Sequence, residues 1–98
     1  MVKQTVSFLC LLLVSGCGKK PKPDFTWSPE NPKAGTEVQF TNLSEHAKSY
    51  SWNFGDASIG KEKDPVHVYQ DPGDYIIDLD AHKGVSTTEK TYTITVVP

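Results

Sequence analysis

Trp52-Asn53-Phe54-Gly55-Asp56, followed by Pro72-Gly73-Asp74-Tyr75, decides the fold of this 98-residue chain. Upstream of Gly55, Tyr50, Trp52 and Phe54 alternate with Ser49, Ser51 and Asn53. Large apolar groups on one face and polar groups on the other describe a half-buried antiparallel strand. Gly55 lets the chain turn where a Cβ would clash. The Asp56 carboxylate is suited to accept backbone N–H groups and lock that turn. Pro72-Gly73 makes a second corner, which leads into Tyr75, Ile77, Leu79 and Ala81, alternating with Asp74, Ile76, Asp78, Asp80 and His82.

The same period of two extends outward in both directions. Phe25 and Trp27 alternate with Thr26 and Ser28, Val38 and Phe40 with Glu37, Gln39 and Thr41, and Tyr92, Ile94 and Val96 with Thr91, Thr93 and Thr95. A shorter strand is expected through Val66 to Tyr69, and another near Ser58–Glu62. Pro29, Asn31-Pro32, Gly35, Gly60, Pro65 and Gly84 fall between these runs. No stretch has a helical period. The expectation is an all-β, immunoglobulin-like two-sheet antiparallel sandwich of about seven strands. A domain this small buries a limited core. Phe40, Tyr50, Trp52, Phe54, Tyr75 and Tyr92 are expected to carry much of it.

Trp52 to Asp56, then Pro65-Val66-His67-Val68-Tyr69, then Pro72-Gly73-Asp74-Tyr75 resemble the PKD domain in residues and in spacing. The resemblance covers Asp24 to Pro98, including Ala34-Gly35-Thr36 and Thr93-Ile94-Thr95-Val96. It implies an extracellular sandwich used as an interaction, spacer or carbohydrate-associated module, and not a catalyst. Trp52 is then the plug of the core. Tyr75 resembles a tyrosine corner, with its ring buried and its hydroxyl bonded to nearby backbone. Three residues depart from the pattern. Asn53 stands where the family often has Asp, Ala57 where Gly often follows, and Trp27 where the first strand usually has something smaller.

The N-terminus reads differently. Met1-Val2-Lys3-Gln4 and the apolar run Thr5 to Val14 form a charged start and a short apolar core. The run is shorter than the roughly 20 residues that span a bilayer, and it fits a secretory signal peptide. Val14-Ser15-Gly16-Cys17 resembles the lipobox of bacterial lipoproteins. The alternative is an ordinary cleaved signal with a chance cysteine. The expected organisation is residues 1–16 as lipoprotein signal, 17–23 as lipidated Cys17 with a flexible tether, and 24–98 as the domain. Acyl chains on Cys17 would hold the protein on a membrane. Gly18 lacks the Asp of an inner-membrane retention signal, so the expected address is the outer membrane or cell surface. The tether lysines Lys19, Lys20 and Lys22 are read as a soluble spacer, with anionic head groups as the alternative contact. Cys10 belongs to the signal, so the domain holds no thiol and no disulfide.

Charge and histidine placement exclude several functions. The chain has a formal net charge of −2, and losing Lys3 with the leader makes the remainder one unit more acidic. It lacks the basic surface that nucleic acid requires. His46, His67 and His82 are not at metal-ligand spacing and adjoin no nucleophile, so neither enzyme nor cofactor is expected. Asp56, Asp71, Asp74, Asp78 and Asp80 are hard oxygen ligands, but no loop has the acidic density of a dedicated calcium site, and no metal is expected. If neighbouring strands pair as expected, Ser49, Ser51, Asn53, Asp78, Asp80, His82, Thr91, Thr93 and Thr95 share one outer face. The candidate ligand residues are Trp27, His46, Asn53, Asp78, Asp80 and His82. Two partners fit: an envelope protein docked onto the sandwich, or an extracellular glycan. Trp27 discriminates, since exposure beside other aromatics favours sugar and burial favours protein docking.

Overall fold

The structure is a computed structural model, and it describes residues 19–98. The signal sequence, Cys10 and Cys17 lie outside the described residues. Seven strands follow in order: β1 Phe25–Ser28, β2 Glu37–Asn42, β3 Ser49–Asn53, β4 Ile59–Gly60, β5 Val66–Val68, β6 Gly73–Lys83 and β7 Ser86–Val96. They form two antiparallel sheets, ordered β1-β2-β5 and β4-β3-β6-β7, which is the expected all-β sandwich. The last two strands are 11 residues each and are joined by a two-residue turn at Gly84-Val85. Gly84 has φ +61, the left-handed conformation that such hairpins demand.

The alternation seen in sequence sorts residues between the core and water. Phe25, Val38, Phe40, Trp52, Ile77, Leu79 and Ile94 are fully buried between the sheets. Trp52 is the central plug, with its ring 5.0 Å from Phe25 and 5.5 Å from Phe40, and stacked on Phe54 at 6.0 Å. Its indole N–H donates to the Glu62 carbonyl at 2.8 Å, so the ring's polar atom is satisfied inside the core. The aromatic core differs in part from the expected set. Tyr50, Tyr75 and Tyr92 are only partly buried, while Phe25 and Tyr69 are fully buried. The partly buried tyrosines sit toward the rim of the sandwich, where their hydroxyls can reach polar partners.

Both ends of the described residues cross from one sheet to the other. Val97 accepts from the Ala34 N–H at 2.8 Å and donates to the Pro32 carbonyl at 2.9 Å. Lys22 and Glu45 exchange two backbone hydrogen bonds of 2.8 and 2.9 Å. The Thr88 hydroxyl donates to the Pro21 carbonyl, and Pro21 is buried. Residues 19–23, expected to be a free tether, therefore lie against the domain. The reason is backbone pairing, which a reading by composition does not register.

Candidate functional site

The Trp52–Asp56 motif is committed to the scaffold. Asn53 Oδ1 accepts the Gly55 N–H at 3.0 Å, and Asp56 Oδ1 accepts the Ser58 N–H at 3.1 Å. Gly55 has φ +88, and a Cβ there would stand 2.5 Å from the Ile76 carbonyl oxygen. The turn thus lies directly on the β6 backbone. Asp56 Oδ2 is 2.7 Å from His67 Nε2. An ionised carboxylate only accepts, so Nε2 carries the proton. Burial disfavours the Asp56 charge, but the His67 hydrogen bond, the Ser58 N–H and the imidazole's field outweigh it and hold the carboxyl below its ordinary value. His67 also stacks on Phe54 at 4.3 Å. The Tyr69 hydroxyl donates to the Phe54 carbonyl at 2.7 Å, and burial pushes its phenol well above the ordinary range. At the second corner, the Tyr75 hydroxyl donates to the Asp71 carbonyl at 2.7 Å, while the ring is half-buried against Tyr69. Pro72 and Gly73, at the entry to β6, are exposed.

The six candidate ligand residues do not converge. His46 is exposed in the β2–β3 loop with φ +60, and its nearest carboxylate is Glu45 at 3.9 Å. Asn53, Asp78, Asp80 and His82 share the outer face of the four-stranded sheet, where the register sets Asn53 opposite Asp78 and Ser51 opposite Asp80. His82 is fixed between two hydroxyls, Ser51 at 2.9 Å and Thr87 at 2.9 Å. Trp27 is elsewhere, on β1 and directed between the sheets.

Two arrangements stand out. On the outer face, Asp78, Asp80 and Glu89 offer oxygens within 4.8 Å of one another. One Asp78 oxygen is buried and has no hydrogen-bond donor. Burial first, then the neighbouring Glu89 and Asp80 carboxylates, raise the Asp78 pKa from 3.8 to about 7. A proton lodged among the three lets one carboxyl group donate to another. Glu89 was not among the candidates. Its signal was the Gly84-Val85 turn, which sets Asp80 opposite Glu89. The remaining calcium candidates disperse: Asp74 accepts from the Thr95 hydroxyl at 2.8 Å, and Asp56 is held by His67.

The second arrangement is a groove of about 330 Å³ where the edge strands β1 and β7 meet, lined by Phe25, Thr26, Trp27, Glu30 and Tyr92. The Trp27 and Tyr92 rings lie 5.6 Å apart, above the buried Phe25. Both rings are held by their polar atoms: the indole N–H donates to the Glu30 carbonyl at 3.0 Å, and the Tyr92 hydroxyl donates to Asp24 at 2.8 Å. That leaves ring surface facing the groove, with Thr26 and Glu30 exposed at the rim. The crossings at Lys22–Glu45 and Pro32–Val97 close the seam on either side, so the groove is a window between them.

Similarity to known proteins agrees with the fold. A structure described as that of carbohydrate-binding modules of promiscuous specificity from the β-sandwich superfamily is 31% identical with a TM-score of 0.75, over 81% of this chain and 35% of that chain. The PKD1 domain of Vibrio anguillarum Epp is 27% identical with a TM-score of 0.69, over 82% of this chain and 98% of that domain. A 48-residue stretch is 44% identical to collagenase ColA of Bacillus cereus, of which it covers only 5%. PKD domains are generally non-catalytic modules. The PKD domain pattern matches residues 19–96, nearly the whole described sandwich, and the chain belongs to the PKD domain family.

Proposed function

We propose that this protein is a non-catalytic binding module, lipid-anchored through Cys17 in the cell envelope, that recognises carbohydrate at the Trp27–Tyr92 groove. The observation that carries the reading is the partly exposed Trp27 ring beside Tyr92 in an open groove, with its N–H already satisfied. A sugar ring presents C–H faces to aromatic surface and hydroxyls to its rim. Here the aromatic rings supply the first contact, and Thr26 and Glu30 are placed for the second. The similarity to carbohydrate-binding modules supports it.

A glycan array probed with residues 19–98 tests the groove. Trp27→Ala should weaken a captured glycan by about tenfold or more, as loss of a central aromatic anchor does. Glu30→Gln, at the exposed rim, should alter selectivity without unfolding the domain. No glycan above background would sink the reading. The anchor is tested separately by mass spectrometry of the native protein: Cys17→Ser should be unprocessed or free of acyl chains. A second reading, protein docking, is favoured by one observation: Ile59 and Ile76 are 76% and 63% exposed on the outer sheet face. Crosslinking in native membranes that recovers no partner would count against it.

A further inference from the structure

Charge is distributed unevenly along the long axis of the sandwich. One end is built by residues 19–24, the β2–β3 loop and the β6–β7 turn. These segments are tied together. Lys22 pairs with Glu45, the Lys48 N–H donates to the His82 carbonyl at 2.7 Å, and Lys83 Nζ reaches the Lys19 carbonyl at 3.4 Å. This end carries Lys19, Lys20, Lys22, Lys48 and Lys83 against the carboxylates Asp24 and Glu45, with Asp64 close by on the Asn42 N–H. The segments at the opposite end, residues 29–37, 54–59 and 69–74, hold five carboxylates and one lysine. The chain is acidic as a whole, yet one end is strongly basic.

The lysines at that end keep their charge unneutralised for an external anion, since Lys83 Nζ meets only a neutral carbonyl. Among the described residues, both ion pairs involve histidine and neither uses a lysine. The same end also displays apolar side chains. Val85 at the hairpin tip is fully exposed and Leu43 is 50% exposed. Cations surrounding a few protruding apolar groups match the interface of an anionic bilayer, where lysines meet phosphates and apolar tips reach the acyl boundary.

The path of the chain points the same way. Lys19 is docked at this end, and only Gly18 separates it from Cys17. An acyl chain on Cys17 would leave the domain with almost no tether. We infer that the Lys19–Lys83–Val85 end of the sandwich is a docking surface for an anionic phospholipid bilayer, so that the domain stands end-on with the Trp27–Tyr92 groove on its side. The inference rests on the anchored reading for which membrane is adjacent, but its surface chemistry is independent of the lipid.

Residues 19–98 contain the entire core, and PKD domains of this extent are solved on their own, so the fragment can be studied without its leader. Its sedimentation with phosphatidylglycerol-containing vesicles, compared with pure phosphatidylcholine vesicles, tests the surface. Each lysine near an anionic membrane should contribute about fivefold to partitioning. Replacing Lys19, Lys20, Lys22 and Lys83 by Gln should abolish binding, as should raised salt. Replacing Lys33 and Lys61, which lie away from that end, should change it little. An environment-sensitive dye on Val85→Cys should shift to the blue on vesicles, and one on Asp71→Cys should not. Equal binding to both lipids, equal loss from the two lysine sets, or a dye response at residue 71 alone would overturn the inference. If the native protein lacks acyl chains while the fragment still binds anionic vesicles, the anchor is refuted and this surface stands.

Discussion

Gly55→Ala tests whether the Trp52–Asp56 motif identifies the fold because it builds it. Two effects add. The backbone at Gly55 has φ +88, which costs an L-residue about 1–2 kcal/mol. The new Cβ would also stand 2.5 Å from Ile76 O, 3.0 Å from Ile76 N and 3.2 Å from Ile76 C. All three are backbone atoms of the central strand β6, so no side chain can rotate away. Shifting the turn or the strand costs about a further 1–3 kcal/mol, the usual scale of overpacking. The total is about 2–5 kcal/mol, against about 4–12 kcal/mol for a whole domain of this size. At about 4–8 °C per kcal/mol, the melting temperature should fall by about 8–40 °C. Gly84→Ala is the control. Its φ is +61 but nothing lies within 4 Å of the Cβ, so only the conformational cost of about 1–2 kcal/mol remains. Thermal unfolding of residues 19–98 followed by circular dichroism reads both. If the two substitutions lower the midpoint equally, the close approach to Ile76 is not what makes Gly55 necessary.

Tyr69→Phe leaves the buried Phe54 carbonyl without its donor, and urea unfolding should show a loss of about 1–3 kcal/mol; an unchanged midpoint would show that water replaces the hydroxyl. For Asp78 the folded pKa is raised, so its contribution is full below about 3.8 and is lost as pH rises through about 7. Asp78→Asn should therefore flatten the decline in stability between those values, and parallel curves for the two proteins would refute the shared proton. For Asp56 the folded pKa is lowered, so its contribution is present above about 3.8 and is lost as pH falls through the folded value. Asp56→Asn should lower the melting temperature at neutral pH, with the gap closing in acid; a pH-independent gap would remove the charge from the explanation.

The strands and the motif turns were legible in the sequence because their causes are local. A period of two sends Trp52, Leu79 and Ile94 inward whatever the partner strand, and Asn53, Gly55 and Asp56 satisfy a turn within a few residues of themselves. The outer face followed once adjacent strands were paired: Asn53, Asp78 and Asp80 lie where the alternation puts them. Glu89 needed one further step, the hairpin register set at Gly84-Val85.

The tertiary structure alone decided where the two sheets touch. The 5.6 Å approach of Trp27 to Tyr92 joins edge strands that are not neighbours in either sheet, so no register or period encodes it. The same packing buries Phe25 and Tyr69, leaves Tyr50 and Tyr92 at the rim, and draws residues 19–23 onto the domain through the backbone of Glu45. Alternation tells each residue which way to point, but twist and the closing of the sandwich determine what it meets. The sequence alone thus identified a PKD-type sandwich. Only the packing of its edges made an aromatic groove on one side and a basic face at one end.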